Sequence, residues 1–181
     1  MTSIDSLSYG GFLQPITAPS FNTLEVLPVF KGFRKLQFTN GGVPALFGGI
    51  SADVLTFQSF ANAAISISTL AITYDGNGSI DTVDLSSSSK FNIQIATQTN
   101  QEIGTALAVT VIDGTGNTAT ISQPLPDNAG GVTISNAEYD FSFASFVGVN
   151  FAAIRSIRVM ISNSVGSSTA GAINLASIQA I

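Results

Sequence analysis

The densest set of oxygen ligands in the sequence is Asp75-x-Asn77-x-Ser79, followed by Asp81 and Asp84. Oxygen donors at alternate positions open many calcium loops, and calcium takes roughly 6–8 oxygens. An EF-hand also needs Gly at the sixth position and Glu at the twelfth. Those positions hold Ile80 and Ser86, so the EF-hand pattern fails. Two readings remain: a calcium site between strands with Asp75, Asn77, Asp81 and Asp84 as ligands, or a hairpin turn that uses Asp, Asn and Gly for their backbone dihedrals.

A second pair of acids, Glu138 and Asp140, lies two residues apart in an alternating segment, so both face the same way. Glycoside hydrolysis uses two carboxyls about 5–10 Å apart across a cleft, usually beside aromatic platforms. The chain has no Trp and 3 Tyr, so acids on the solvent face of an edge strand are the better expectation. No Cys and no His are present, which removes thiol and imidazole chemistry, thiolate metal sites and disulfides together. A Ser nucleophile lacks its usual base. The expectation is a protein that binds or builds rather than catalyses.

Charge narrows the partners. Only 9% of residues are charged, against about 25% in ordinary soluble proteins, and the net charge is −5. Lys31, Arg34 and Lys35 form the one local basic group, too small to neutralise a phosphate backbone, so nucleic acid is excluded as a partner. The uncharged stretch from Val54 to Tyr74 carries too many Ser, Thr, Asn and Gln to cross a bilayer as a helix. The N-terminal residues lack the charged and apolar regions of a signal peptide.

The elements that must position these residues are strands. Phe91-Asn-Ile-Gln-Ile95 and Tyr139-Asp-Phe-Ser-Phe143 alternate cleanly, while Leu107–Ile112 and Arg158–Ile161 read as strands buried on both sides. Segments beginning at Phe33, Val54, Ile65 and Ile173 bring the set to eight or more. Gly-rich turn signals separate them, among them Asp113-Gly-Thr-Gly-Asn117. One helical turn is expected after Asn150, whose side chain can cap it. The fold class expected is an all-β antiparallel sandwich of jelly-roll type. Residues 1–23 form an N-terminal arm with a donor or edge strand, and residues 24–181 form the sandwich.

The order of segments resembles a jelly-roll-type β-sandwich domain of bacterial exported proteins, some of which carry a C-terminal PEP-type sorting anchor. The residues that carry the resemblance are Lys31-Gly-Phe-Arg-Lys-Leu36, Ile72-Thr-Tyr-Asp-Gly76 with Val83-Asp-Leu85, Phe141-Ser-Phe-Ala-Ser-Phe146 and Ile154-Arg-Ser-Ile-Arg-Val159. The match runs from about Val29 to the C-terminus. Lys35 departs from it, standing where the pattern often has an acid, and no anchor helix or basic tail follows Ile181. The resemblance implies a fold and an extracellular or cell-surface address, and it implies no catalytic residue.

Two functions follow as expectations. The first is a structural protein whose partner is itself, polymerising by strand addition into a fibre, sheath or matrix. Ile4, Leu7, Tyr9, Phe12 and Leu13 would be its apolar plugs, with the C-terminal strand as a second edge. The second is a secreted module that binds polysaccharide, with calcium as its cofactor if the Asp75 loop holds an ion. A small outer-membrane barrel is disfavoured, because the strands are short and lack aromatic girdles.

Overall fold

Inward-facing Ile, Val, Leu and Phe at every second residue fold the chain into strands that share a single core. The computed structural model describes the backbone of residues 1–5, 14–16, 20–25, 33–40, 46–51, 54–59, 68–74, 81–99, 106–126, 132–162 and 171–181. Side chains are described for residues 1–4, 71–74, 81–98, 106–126, 132–162 and 173–181. The strands are β1 (Thr2–Asp5), β2 (Gln14–Ile16), β3 (Ser20–Glu25), β4 (Phe33–Asn40), β5 (Leu46–Ser51), β6 (Val54–Ser59) and β7 (Ser68–Tyr74). They continue as β8 (Lys90–Thr99), β9 (Ala106–Asp113), β10 (Thr118–Pro124), β11 (Ile134–Ser142), β12 (Ile154–Ser162) and β13 (Gly171–Ala180).

Two antiparallel sheets face one another. One runs β11-β8-β13-β6-β5-β2, with β1 also on β13, and the other runs β10-β9-β12-β7-β4-β3. Most neighbours are distant in sequence, as a jelly-roll sandwich requires. The core between the sheets includes Ile72, Tyr74, Phe91, Ile93, Val109 and Ile157, all fully buried. On β9, Ala108 is buried as well as Leu107 and Val109, in keeping with the expected burial on both sides.

The described strands among the first 25 residues all pair within the chain. β1 pairs antiparallel with β13 (Thr2↔Ala180, Ser3↔Gln179), β2 with β5, and β3 with β4. Ile4 is fully buried in the chain's own core. The C-terminal strand is interior rather than an edge: β13 pairs with β8 along one side, and with β6 and then β1 along the other. Its Ile173, Leu175 and Ile178 are buried, which draws the strand into the sheet.

A carboxylate ties the two halves of the second sheet together at one end. Asp113 Oδ1 accepts hydrogen bonds from Thr115 N (2.9 Å), Thr115 Oγ1 (2.7 Å) and Asn117 N (3.0 Å). Its Oδ2 accepts from Asn117 Nδ2 (3.0 Å) and from Asn150 N (3.0 Å). The β9–β10 turn, in which Gly116 adopts a φ of 93° that suits glycine, is thereby fixed to the loop before β12. Gly114 N reinforces the link by donating to Ala153 O at 2.7 Å. In that loop Asn150 caps a single 3-10 turn, Phe151–Ala153, by accepting from Ala152 N at 3.1 Å. Phe151 then stacks on Phe143, with ring centroids 3.8 Å apart and planes 10° from parallel. Phe143 lies in a 3-10 turn of its own, just past the end of β11, rather than in the strand expected from alternation.

Two predictions follow from this packing. Ile4→Ala removes a fully buried side chain and should cost about 2–4 kcal/mol. Chemical denaturation should give that loss independently of protein concentration, whereas an arm exchanged between molecules would make it concentration-dependent. Asp113→Asn should lower Tm by several degrees at neutral pH. The Thr115 hydroxyl, with Asn150 N–H and Asn117, holds the Asp113 carboxyl far below the ordinary carboxylate range against the opposing effect of burial. A folded-state pKa below the unfolded value of about 3.9 confers stability above that pH, which is lost as pH falls. Thermal melts between about pH 5 and pH 2 should therefore decline more gently for the variant than for the wild type.

Candidate functional site

The outward face of β11, β8 and β13 carries a continuous set of amides, carboxylates and hydroxyls. Register places Asp140 opposite Asn92 and Asn92 opposite Gln179. Two residues along β8 and β11, Glu138 lies opposite Gln94 and Gln94 opposite Ser177. Farther along, Ser135, Thr97 and Asn174 line up in the same way. Period two explains the arrangement: Phe91, Ile93 and Ile95 point into the core, so Asn92 and Gln94 point out.

These side chains hold one another. Asn92, only 3% exposed, donates through Nδ2 to Asp140 Oδ1 (2.9 Å) and Glu138 Oε2 (3.2 Å). Lys90 Nζ meets Asp140 Oδ2 at 2.6 Å. Ser177 Oγ donates to Gln94 Oε1 (2.8 Å), and Asn174 Nδ2 donates to Thr97 Oγ1 (2.6 Å). The Asn92 amide, then Lys90, lower the pKa of Asp140 and keep it ionised. A glycosidase needs one carboxyl raised so that it can give up a proton. Here a single asparagine bonds both acids and Asp140 stays a carboxylate, so the arrangement suits accepting hydrogen bonds rather than transferring protons.

Three neighbouring strands break their pattern along one line across this face. On β8 the extra residue is Ala96, and on β13 it is Ala176, each marked by a register shift between β13 and β8. On β11 the break falls at Asn136, which has a φ of 55° and drops out of the pairing between Ser135↔Thr97 and Ala137↔Ile95. A depression of about 190 Å³ opens there, lined by Gln94, Ile95, Ala96, Asn136, Ala137, Glu138 and Ala176.

Of the residues singled out in the sequence, Glu138 and Asp140 lie on this face, while Asp81, Asp84 and Ile4 do not. Asp81 and Asp84 are both exposed. Asp84 accepts from Ser86 N at 2.8 Å, and bonds from Ser86 hold its pKa below the ordinary value. Among the described residues no group of three or more acids is placed to hold a metal. Asp75 and Asn77 lie outside the described residues, as do Leu7, Tyr9, Phe12 and Leu13. Ile4 is in the core. Glu138 and Asp140 are exposed on β11, an end strand of its sheet, as alternation led one to expect. Sequence reasoning missed Asn92, Gln94, Ser177 and Gln179. A signal for the break existed: apolar positions 91, 93 and 95 are followed by Gln98, buried and out of step, and 173 and 175 are followed by Ile178.

No protein-family model and no curated protein matches the chain. Among solved structures it is similar to a domain of the bacteriophage CBA120 tailspike protein 4, with 13% identity and a TM-score of 0.42. That match covers 99% of this chain and 21% of the solved tailspike chain, its enzymatically active domain. The agarase AgWH50C matches at 12% identity and TM-score 0.48, over 96% of this chain and 25% of the enzyme. A non-crystalline cellulose-specific carbohydrate-binding module, CBM28, matches at 8% identity and TM-score 0.46, over 79% of each chain. The chain thus spans a quarter or less of the tailspike and agarase chains, and none of these likenesses assigns a role to a residue. Among the described residues no helix is long and apolar enough to cross a membrane.

The partners of Asp140 give a prediction. Asn92→Ala and Lys90→Met should each raise the pKa of Asp140, since each removes a hydrogen bond to its carboxylate and the lysine variant removes a positive charge as well. Titration of the side-chain carboxyl carbon by NMR reads both shifts, and an unmoved pKa in either variant would remove that partner from the assignment.

Proposed function

We propose that this protein is a non-catalytic carbohydrate-binding module that takes a polysaccharide on the outward face of β11, β8 and β13. The observation that carries the reading is the pre-bonded set of Asp140, Asn92, Gln179, Glu138, Gln94 and Ser177. Each sugar hydroxyl is both a donor and an acceptor. Planar amides and carboxylates can bond two adjacent hydroxyls at once. Side chains already held by their neighbours lose little freedom when a ligand arrives, which favours affinity. No aromatic ring faces outward among the described residues of these strands, so hydrogen bonds rather than stacking would carry recognition. A role of this kind suits the extracellular or cell-surface address expected from the sequence.

Self-assembly by strand addition has less behind it. Both terminal strands expected to supply edges, β1 and β13, are paired within the chain. The reading calls for no calcium on this face, where Lys90 pairs with Asp140 and the Asn92 amide donates to both carboxylates.

Affinity electrophoresis through gels containing a panel of neutral polysaccharides tests the reading. The wild-type chain should be retarded by at least one of them. Glu138→Ala and Gln179→Ala should each weaken binding about tenfold, the worth of one good hydrogen bond at about 1.4 kcal/mol. Chelator should leave retardation unchanged. Loss of binding on chelation would instead assign recognition to the segment containing Asp75, Asn77, Asp81 and Asp84. Passage through every gel would overturn the proposal.

A further inference from the structure

The depression at the line of breaks is a more specific feature than the polar face around it. Three strands depart from regular pairing side by side, at Asn136, Ala96 and Ala176. A bulge leaves backbone groups out of the ladder and bends its strand, and bulges concentrate where a surface must be shaped. Asn136 is the only non-glycine at positive φ among the described residues. Backbone held in the left-handed region costs free energy that the surrounding structure must offset. Two of the three break positions are alanine, so the floor stays open where longer side chains would fill it.

The lining combines three chemical features. Ala96 and Ala176, both partly exposed at the break, supply a small apolar floor. Gln94 gives its Oε1 to Ser177 and, among the described residues, nothing takes its Nε2, which leaves an amide donor. Glu138 accepts from Asn92 on Oε2, and no described residue bonds its Oε1, which leaves an acceptor. One donor, one acceptor and a methyl-sized apolar floor complement a secondary acetamide. Its N–H meets the carboxylate, its C=O meets the amide, and its methyl lies on alanine. A plain hydroxyl sugar would leave the floor without a partner.

We infer that this depression is a subsite for the acetamido group of an N-acetylated amino sugar within a polysaccharide, a specificity that rests on the carbohydrate-binding reading above. Isothermal titration of the full chain with three matched oligosaccharide series tests it: N-acetylglucosamine, glucose and glucosamine oligomers of one linkage and length. The acetylated series should bind at least about tenfold tighter than the glucose series. Ala96→Met, which fills the floor, should abolish that preference, bringing the acetylated series down to no more than the affinity of the glucose series. Gln94→Ala, which removes the amide donor, should reduce the preference several-fold on its own, with an unchanged far-UV circular dichroism spectrum as the control for folding. Equal binding of acetylated and glucose oligomers overturns the subsite and leaves the binding module standing. Tightest binding of the glucosamine series also overturns it, because the carboxylates would then be holding an ammonium. Failure to bind any series or any polysaccharide removes both readings.

Discussion

The double-sided pairing of β13 is the constraint on which the rest depends. Along one edge it bonds β8 from Ala172 to Ala180, and along the other it bonds β6 and then β1. A strand in that position has its backbone donors and acceptors taken on both sides, so it cannot serve as an edge for another molecule. It also fixes the N-terminus, because β1 is held by the last residues of β13 and delivers Ile4 to the core. Ser89 N and Lys90 N both donate to Ile181 O, extending the β8–β13 seam to the end of the chain. The polar face is a by-product of the same pairing. With Ile173, Leu175 and Ile178 committed inward, Asn174, Ser177 and Gln179 have only the outside left.

Within that frame the two ends of the sandwich are treated differently. At the Asp113 end, a buried carboxylate gathers donors from its own turn and from Asn150, and rigidity comes from satisfied hydrogen bonds. Close by, Phe91, Phe143, Phe146 and Phe151 form a cluster of tilted, edge-on and stacked rings that anchors the loop between β11 and β12. In both features the groups hold loops to strands. The outward face of β11, β8 and β13 differs, because there the polar groups are positioned but only partly used. Spare valence on an ordered surface is what a ligand with many hydroxyls can exploit.

Much of the fold was legible in the sequence because strand burial writes itself as alternation. Phe91, Ile93 and Ile95, and the hairpin at Asp113-Gly-Thr-Gly-Asn117, could be read directly, as could the Asn150 cap. β10 was not, because the alternation of Thr118–Pro124 rests on Ala119 and Ile121 alone, among polar residues on an end strand. The role of the chain ends stayed open in the sequence for a different reason. An apolar terminal strand looks the same whether it docks at home or on a neighbour, and only the pairing of β1 with β13 distinguishes the two.

The polar face of β11, β8 and β13 is not legible in the sequence because its residues carry no motif. Asn92, Gln94, Ser177 and Gln179 come from two strands far apart in sequence, and only the register of β8 against β13 brings them together. The motif-like spacing lies instead at Asp75, Asn77, Asp81 and Asp84, of which Asp81 and Asp84 are exposed and the other two lie outside the described residues. The breaks at Ala96 and Ala176 are quieter still, because alanine adds no hydrophobic signal of its own. Their trace is a slip of phase in the neighbours: 95 to 98 on β8 and 175 to 178 on β13, each an odd step where a regular strand gives an even one. Two such slips in strands that pair with each other mean that the sheet itself changes course there. An irregularity shared between adjacent strands is therefore a better pointer to a shaped surface than any single acidic cluster in this chain.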